Sequence, residues 1–262
     1  MSDRAVVGWI KEYGSFGTFF SYGLDLFEKI PIVCSLAKEC LNHWRAVRNG
    51  QRQPSSSRVD QVEPDSHAPS PPNAPPAPPA SISRRVTHLI SWLEAWESPE
   101  PSAEAAQSKQ GHRAAGEFYR QALLIYLKAC CVEHAPDAFM GPSTVPNEGS
   151  EFWPLPSAKM LADIAGHTEI VMGLAPILGM SRYGATSLWP LIIASSCFTD
   201  EDKRALLIES MDNTASYFYG AAQLERVVNV AQILWRDEGR KAFGPYGLEM
   251  IMKEHAYNLS MS

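Results

Sequence analysis

Apolar positions recur at intervals of three and four along most of the chain, the period of a helix with one buried face. After Pro31, the residues Ile32, Leu36, Cys40 and Trp44, joined by Val33, Ala37 and Leu41, form one apolar stripe, which predicts a helix over CSLAKECLNHWRAV. SRRVTHLISWLEAW and GHRAAGEFYRQALLIYLKACC follow with the same period. In the second of these, Phe118, Leu123, Tyr126, Leu127 and Cys130 take core spacing and leave Glu117, Arg120 and Lys128 for solvent. Further on, SAKMLADIAGHTEIVMGLAPIL reads as helix broken by glycine and proline. Four more helical segments come after it: LWPLIIASSCF, DEDKRALLIESM, ASYFYGAAQLERVVNVAQILWRDE and GLEMIMKEHAYNL. No segment alternates at period two, so the fold class is all-α, an irregular multi-helix bundle.

The pattern stops in two places. QRQPSSSRVDQVEPDSHAPSPPNAPPAPPA carries nine of the chain's 20 prolines and almost nothing to bury. Such a stretch cannot repay its ordering entropy, which predicts a long disordered Pro-rich loop acting as a spacer. The expected organisation is therefore N-terminal helices over 1–49 packing on the main body, a linker over 50–82, and a main helical domain over 83–262. Between Pro136 and Pro156, Gly141, Pro142, Pro146 and Gly149 punctuate a second loop.

Composition narrows the function classes. A chain of 262 residues, 45% hydrophobic and 20% charged, can bury a sizeable core without disulfides. A net charge of -6 and a pI near 5.7 provide no basic footprint for nucleic acid, so direct DNA binding is not expected. Five cysteines (Cys34, Cys40, Cys130, Cys131, Cys197) fit neither a disulfide framework nor a zinc cluster, and point to a reducing compartment. The start, MSDRAVVGWIKEYG, lacks a signal-peptide core, and no run of about 18 apolar residues suggests a membrane span.

The candidate chemistry is thin. Asp200, Glu201 and Asp202 could be the carboxylates of a magnesium-diphosphate motif, but Ile233 in NVAQILWRD stands where a hydroxyl ligand is needed. Helix initiation accounts for them instead, with Thr199 as N-cap, Asp202 as its capping-box partner, and three acids facing the positive end of the helix dipole. Pro190 suits the first turn of the preceding helix. Ser195 and Ser196 have no nucleophile elbow, and Cys130 and Cys131 sit on an apolar helix like small hydrophobes. His88, His112, His134, His167 and His255 are scattered singly. We expect no catalytic residues, no metal and no cofactor.

Five stretches in order carry a family likeness: FSYGLDLFEKIPIVCSLAKE, ISWLEAWESP, AGEFYRQALLIYLKA, SLWPLIIASSCFTDEDKRALLIESM and VAQILWRDEGRKAFGPYGLEMIM. The most specific element is Leu-Trp-Pro-Leu-x-Ile-Ala followed by Thr-x-x-Asp-x-Arg (Thr199, Asp202, Arg204), with an Ile-Leu-Trp downstream. Together they resemble the C-terminal half of the fungal-specific transcription factor domain, the helical regulatory region that follows the binuclear zinc cluster in fungal regulators. No Cys-x2-Cys-x6-Cys pattern and no basic recognition segment occurs in these residues. The resemblance therefore implies a regulatory module without its own DNA-binding element, either a fragment of a larger regulator or a stand-alone relative. It also implies a nuclear location; without it, a cytoplasmic one would be expected.

The expected mode of action is binding of a protein partner, a second copy of the chain, or a small-molecule effector, with no nucleic acid and no membrane involved. The aromatic set Trp189, Phe198, Tyr217, Phe218, Tyr219 and Trp235 is the candidate binding cluster. The competing expectation is a small-molecule enzyme of cyclase or isomerase type on the same scaffold, with Asp200, Asp202, Asp237 and Glu238 converging in an apolar pocket.

Overall fold

The computed structural model describes residues 22–51, 78–100, 109–132, 156–181, 183–184, 187–215, 221–236 and 243–255. Those residues hold eight helices and no strand: α1 (Leu24–Gln51), α2 (Ala80–Glu94), α3 (Lys109–Cys131), α4 (Ala158–Gly179), α5 (Leu188–Ser195), α6 (Glu201–Ala215), α7 (Ala221–Arg236) and α8 (Gly244–Glu254). The all-α class is what the apolar period predicts. Most of the predicted Pro-rich linker, and all but Pro156 of the loop before α4, lie outside the described residues.

Helix α3 is the axis of the fold, touching α1, α2, α4, α5 and α8. Its four consecutive residues Ala122, Leu123, Leu124 and Ile125 are all buried, so this helix has no solvent face at its middle. That corrects the expectation for its polar residues. Lys128 is only 8% exposed, and Glu117 and Arg120 are half-buried, because α4 covers the side that was assigned to water.

Helix α1 begins earlier than expected and carries Pro31 in its interior. The predicted stripe is buried at Val33, Leu36, Ala37, Cys40, Leu41 and Trp44, but Ile32 is 43% exposed. The buried row centres on the Val33–Ala37–Cys40 line, and Ile32 falls on its margin. At the other end of this interface Gly116 allows a close approach. A Cβ there would stand 2.7 Å from the Trp96 ring and 3.0 Å from the Tyr22 carbonyl. Trp96 in turn donates its indole N–H to Asp25 Oδ2 at 2.7 Å, tying the end of α2 to the start of α1.

Helix α4 is continuous despite Gly166, Gly173 and Pro176, where breaks were expected. Its start is fixed by Ser157, whose side chain accepts from the Met160 N–H. Each glycine weakens a helix by roughly 1 kcal/mol, which packing on α3 overrides. By length and a mean hydropathy of 1.3, α4 is the one described helix apolar enough to cross a membrane, although no uninterrupted apolar run marks it in the sequence. It carries Asp163 and His167, both engaged by α3.

Candidate functional site

The predicted aromatic cluster resolves into two separate assemblies. Trp189, half-buried in the first turn of α5, stacks on Tyr119 (5.9 Å between centroids, 12° between planes) and lies parallel to Tyr126 (6.3 Å, 11°). Phe198 stacks on Trp235 of α7 at 6.5 Å and 10°. The two assemblies sit near opposite ends of an eight-residue helix, roughly 12 Å long at 1.5 Å per residue, so α5 itself keeps them apart. Tyr217, Phe218 and Tyr219 lie outside the described residues.

The second assembly is a fastener for the exit of α5. Trp235 donates its indole N–H to the Ser195 carbonyl at 2.9 Å. Arg204 donates twice to the Phe198 carbonyl, at 3.1 and 2.9 Å, and lies 5.5 Å from the Trp235 ring centroid. The Ser195 carbonyl, which also accepts from the Phe198 N–H at 3.1 Å, and the Phe198 carbonyl just beyond the helix are thus each bonded by a side chain, from α7 and α6 respectively.

The acidic run opens α6, with a correction to its cap. Asp200, not Thr199, supplies the capping oxygen, its Oδ1 accepting from the Asp202 N–H at 2.9 Å. One-residue slips of this kind are common where Thr and Asp adjoin, since either can cap. Glu201 pairs with Arg204 across one turn, and Asp200, Glu201 and Asp202 are all exposed. Asp237 and Glu238 lie outside the described residues. The convergent acids that the enzyme reading requires are therefore absent at the two positions described.

A polar seam between α3 and α4 escaped sequence reasoning. Lys128 donates to Asp163 Oδ2 at 2.5 Å and reaches His167 Nε2 at 3.0 Å. His167 Nδ1 meets Gln121 Oε1, and the Gln121 amide donates to Glu117 Oε1 at 2.6 Å. Arg120 closes the row, donating to both oxygens of Glu117 and to the Leu93 and Glu94 carbonyls at the end of α2. One assignment satisfies every member: His167 neutral with its proton on Nδ1, accepting from the Lys128 ammonium at Nε2. Burial, then the Lys128 charge, lowers the His167 pKa from its ordinary 6.5, against a smaller opposing pull from Asp163. The available signal was a single lysine inside LLIYLKACC, because a cation on an all-round apolar helix must find partners.

The Cys130 and Cys197 thiols behave as core groups. Tyr246 of α8 donates its hydroxyl toward the Ala37 and Cys130 carbonyls (2.6 and 3.1 Å), with Cys40 and Cys131 buried nearby in the sequence of the same helices. Burial pushes the Cys130 thiol up, and pushes Cys197 up to about 12, so both stay protonated and poorly nucleophilic.

Beside the seam, α4 turns an apolar ridge outward. From Ile170 to Met180, the residue that follows the helix, there is no charged residue; Val171 and Leu178 of this stretch are buried, whereas Ile170 and Met180 are 43% and 85% exposed. An open groove of about 540 Å³ lies between this ridge and the start of α3, lined by Lys109, Arg113, Ala114, Glu117, Leu174 and Ile177.

The family model described as fungal specific transcription factor domain matches residues 73–260. The chain belongs to that family. Neither a curated protein nor a solved structure matches it. Membership makes the chain a transcription-regulator-type helical module, and it gives the motif elements a physical meaning. In this member of the fungal specific transcription factor domain family, Arg204 and the Trp235 of Ile-Leu-Trp hold the exit of the Leu-Trp-Pro helix, while Trp189 stacks its start on α3 and Pro190 is buried beside it in the chain. Helix α1 precedes the matched segment yet packs directly on α3.

Proposed function

We propose that this family member is a regulatory module that works by protein–protein contact in the nucleus, using the outer face of α4 as its docking surface and leaving DNA contact to other polypeptide. The observation that carries this reading is the uncharged ridge from Ile170 to Met180, which a protein of one hydrophobic core would ordinarily bury. The adjoining pocket is an open groove instead of an enclosed chamber, which favours a partner over a small effector. The net charge of -6 supports the absence of a direct DNA contact. The two exposed acids Asp200 and Asp202 give the enzyme reading nothing to build on.

The test is a reporter assay with the chain fused to an unrelated DNA-binding domain. Ile170→Asp with Met180→Asp touches only exposed side chains, so the fold persists, and the fusion's effect on the reporter should disappear. A fusion that changes transcription equally with and without the double substitution would refute the docking surface.

A further inference from the structure

Lys109 and Arg113 stand one turn apart at the start of α3, a helix with no acid in its first turn. Both reach the same carboxylate, that of Glu100, at 3.4 and 2.8 Å. Hydrogen bonding from Arg113, followed by the charge of Lys109, lowers the Glu100 pKa. Glu100 itself is 72% exposed and is held by the two cations. Among the described residues, Glu117 of the groove pairs with Arg120, and Glu169 of α4 pairs with Lys203. The wall opposite the cations is apolar, made by Leu174 and Ile177, and it continues onto the exposed Met180. At 100° per residue, Ile170, Leu174 and Ile177 fall within about 60° of one another on α4, their centre roughly 100° round the helix from the buried Ile164 and Val171.

The geometry points to an acidic amphipathic helix of a partner protein as the occupant of this groove, its apolar side on the α4 ridge and its carboxylates on Lys109 and Arg113 in place of Glu100. This rests on the docking reading above and adds the chemistry of the partner. Helix-in-groove recognition needs an apolar trough of this kind, and the flanking charge selects the ligand's polar face. An anionic lipid surface would offer the same two chemistries, but a chain of net charge -6 is repelled by such a surface beyond the reach of two cations.

The experiment uses the whole chain and two synthetic helical peptides with identical leucine positions, one filled with glutamate and one with lysine, read by fluorescence anisotropy at low salt. We expect the glutamate peptide to bind at least tenfold more tightly than the lysine peptide, and Lys109→Glu with Arg113→Glu to reverse that order. Glu100→Gln, which removes the internal competitor, should tighten the glutamate peptide several-fold. Equal binding of the two peptides, binding of neither, or an order unchanged by the charge reversal would overturn the inference. So would binding to phosphatidylglycerol vesicles with none to the glutamate peptide. A reporter response that depends on Ile170 and Met180 but not on the peptide charges would sink this inference alone and leave the docking surface standing.

Discussion

Replacing Lys128 with methionine tests the seam between α3 and α4. The substitution keeps the stem that packs in the core and deletes the ammonium, which holds Asp163 and His167 together. Breaking a fully buried ion pair costs about 3–5 kcal/mol. Here the Asp163 side chain is 47% exposed and regains water when its partner leaves, while the Lys128 side chain, 10% exposed, is relieved of its own desolvation. What remains is chiefly His167 Nε2 without its donor, about 1–3 kcal/mol, so we expect a loss of about 2 kcal/mol near pH 8.

The pH dependence makes the prediction specific. His167 has a folded-state pKa below the ordinary 6.5 of the unfolded chain. Below that value the unfolded state binds more protons, so the neutral-His contribution is complete above pH 6.5 and is lost as pH falls toward the folded pKa, at no more than about 1.4 kcal/mol per pH unit. Without the Lys128 charge the folded pKa rises, and acid costs the variant less than it costs the wild type. Urea unfolding at pH 8 and pH 5.5, with the His167 ring proton followed by NMR, reads both effects. A destabilisation that stays the same at the two pH values, or a His167 titration unmoved by the substitution, would refute the account of the seam.

Three further outcomes follow from contacts elsewhere. Trp235→Phe keeps the stacking on Phe198 but leaves the Ser195 carbonyl with the Phe198 N–H as its one remaining donor, and should cost about 1 kcal/mol by chemical denaturation. Gly244 has φ +63, so Gly244→Ala should lower stability by about 1 kcal/mol through backbone strain, since the added Cβ meets Ala129 and Cys197 at an ordinary 3.4 Å. Asp200→Ala removes the cap of α6 and should cost about 1 kcal/mol, whereas Thr199→Ala should leave the melting temperature nearly unchanged.

The helices were legible because a one-sided apolar period survives in the sequence wherever a helix keeps a solvent face, as on α1 and α7. Where burial is complete the period vanishes. On α3 the row Ala122–Ile125 carries no directional information, so Lys128 could be assigned to water when it faces α4. On α4 the error ran the other way: glycine and proline signalled interruption, but contacts across the seam hold the helix through them. Of the aromatic candidates, Trp189 and Phe198 lie in the stretch that begins Leu-Trp-Pro, and Trp235 lies in Ile-Leu-Trp. Their spacing could not show that α5 separates Trp189 from Phe198, because that depends on which end of one short helix each occupies.

The hydroxyl of Tyr246 reaches a carbonyl 209 positions earlier in the chain, that of Ala37. While the protein is being made, α1 therefore emerges from the ribosome long before the residue that locks it down, and α3 waits with part of its surface uncovered until α8 arrives. Contacts this distant form late and slow folding. A message truncated ahead of α8 would yield a chain with exposed core helices, a natural target for chaperones and proteases. Full-length synthesis is thus a precondition for the last contact of the core, and the cell has a simple physical criterion for discarding the incomplete product.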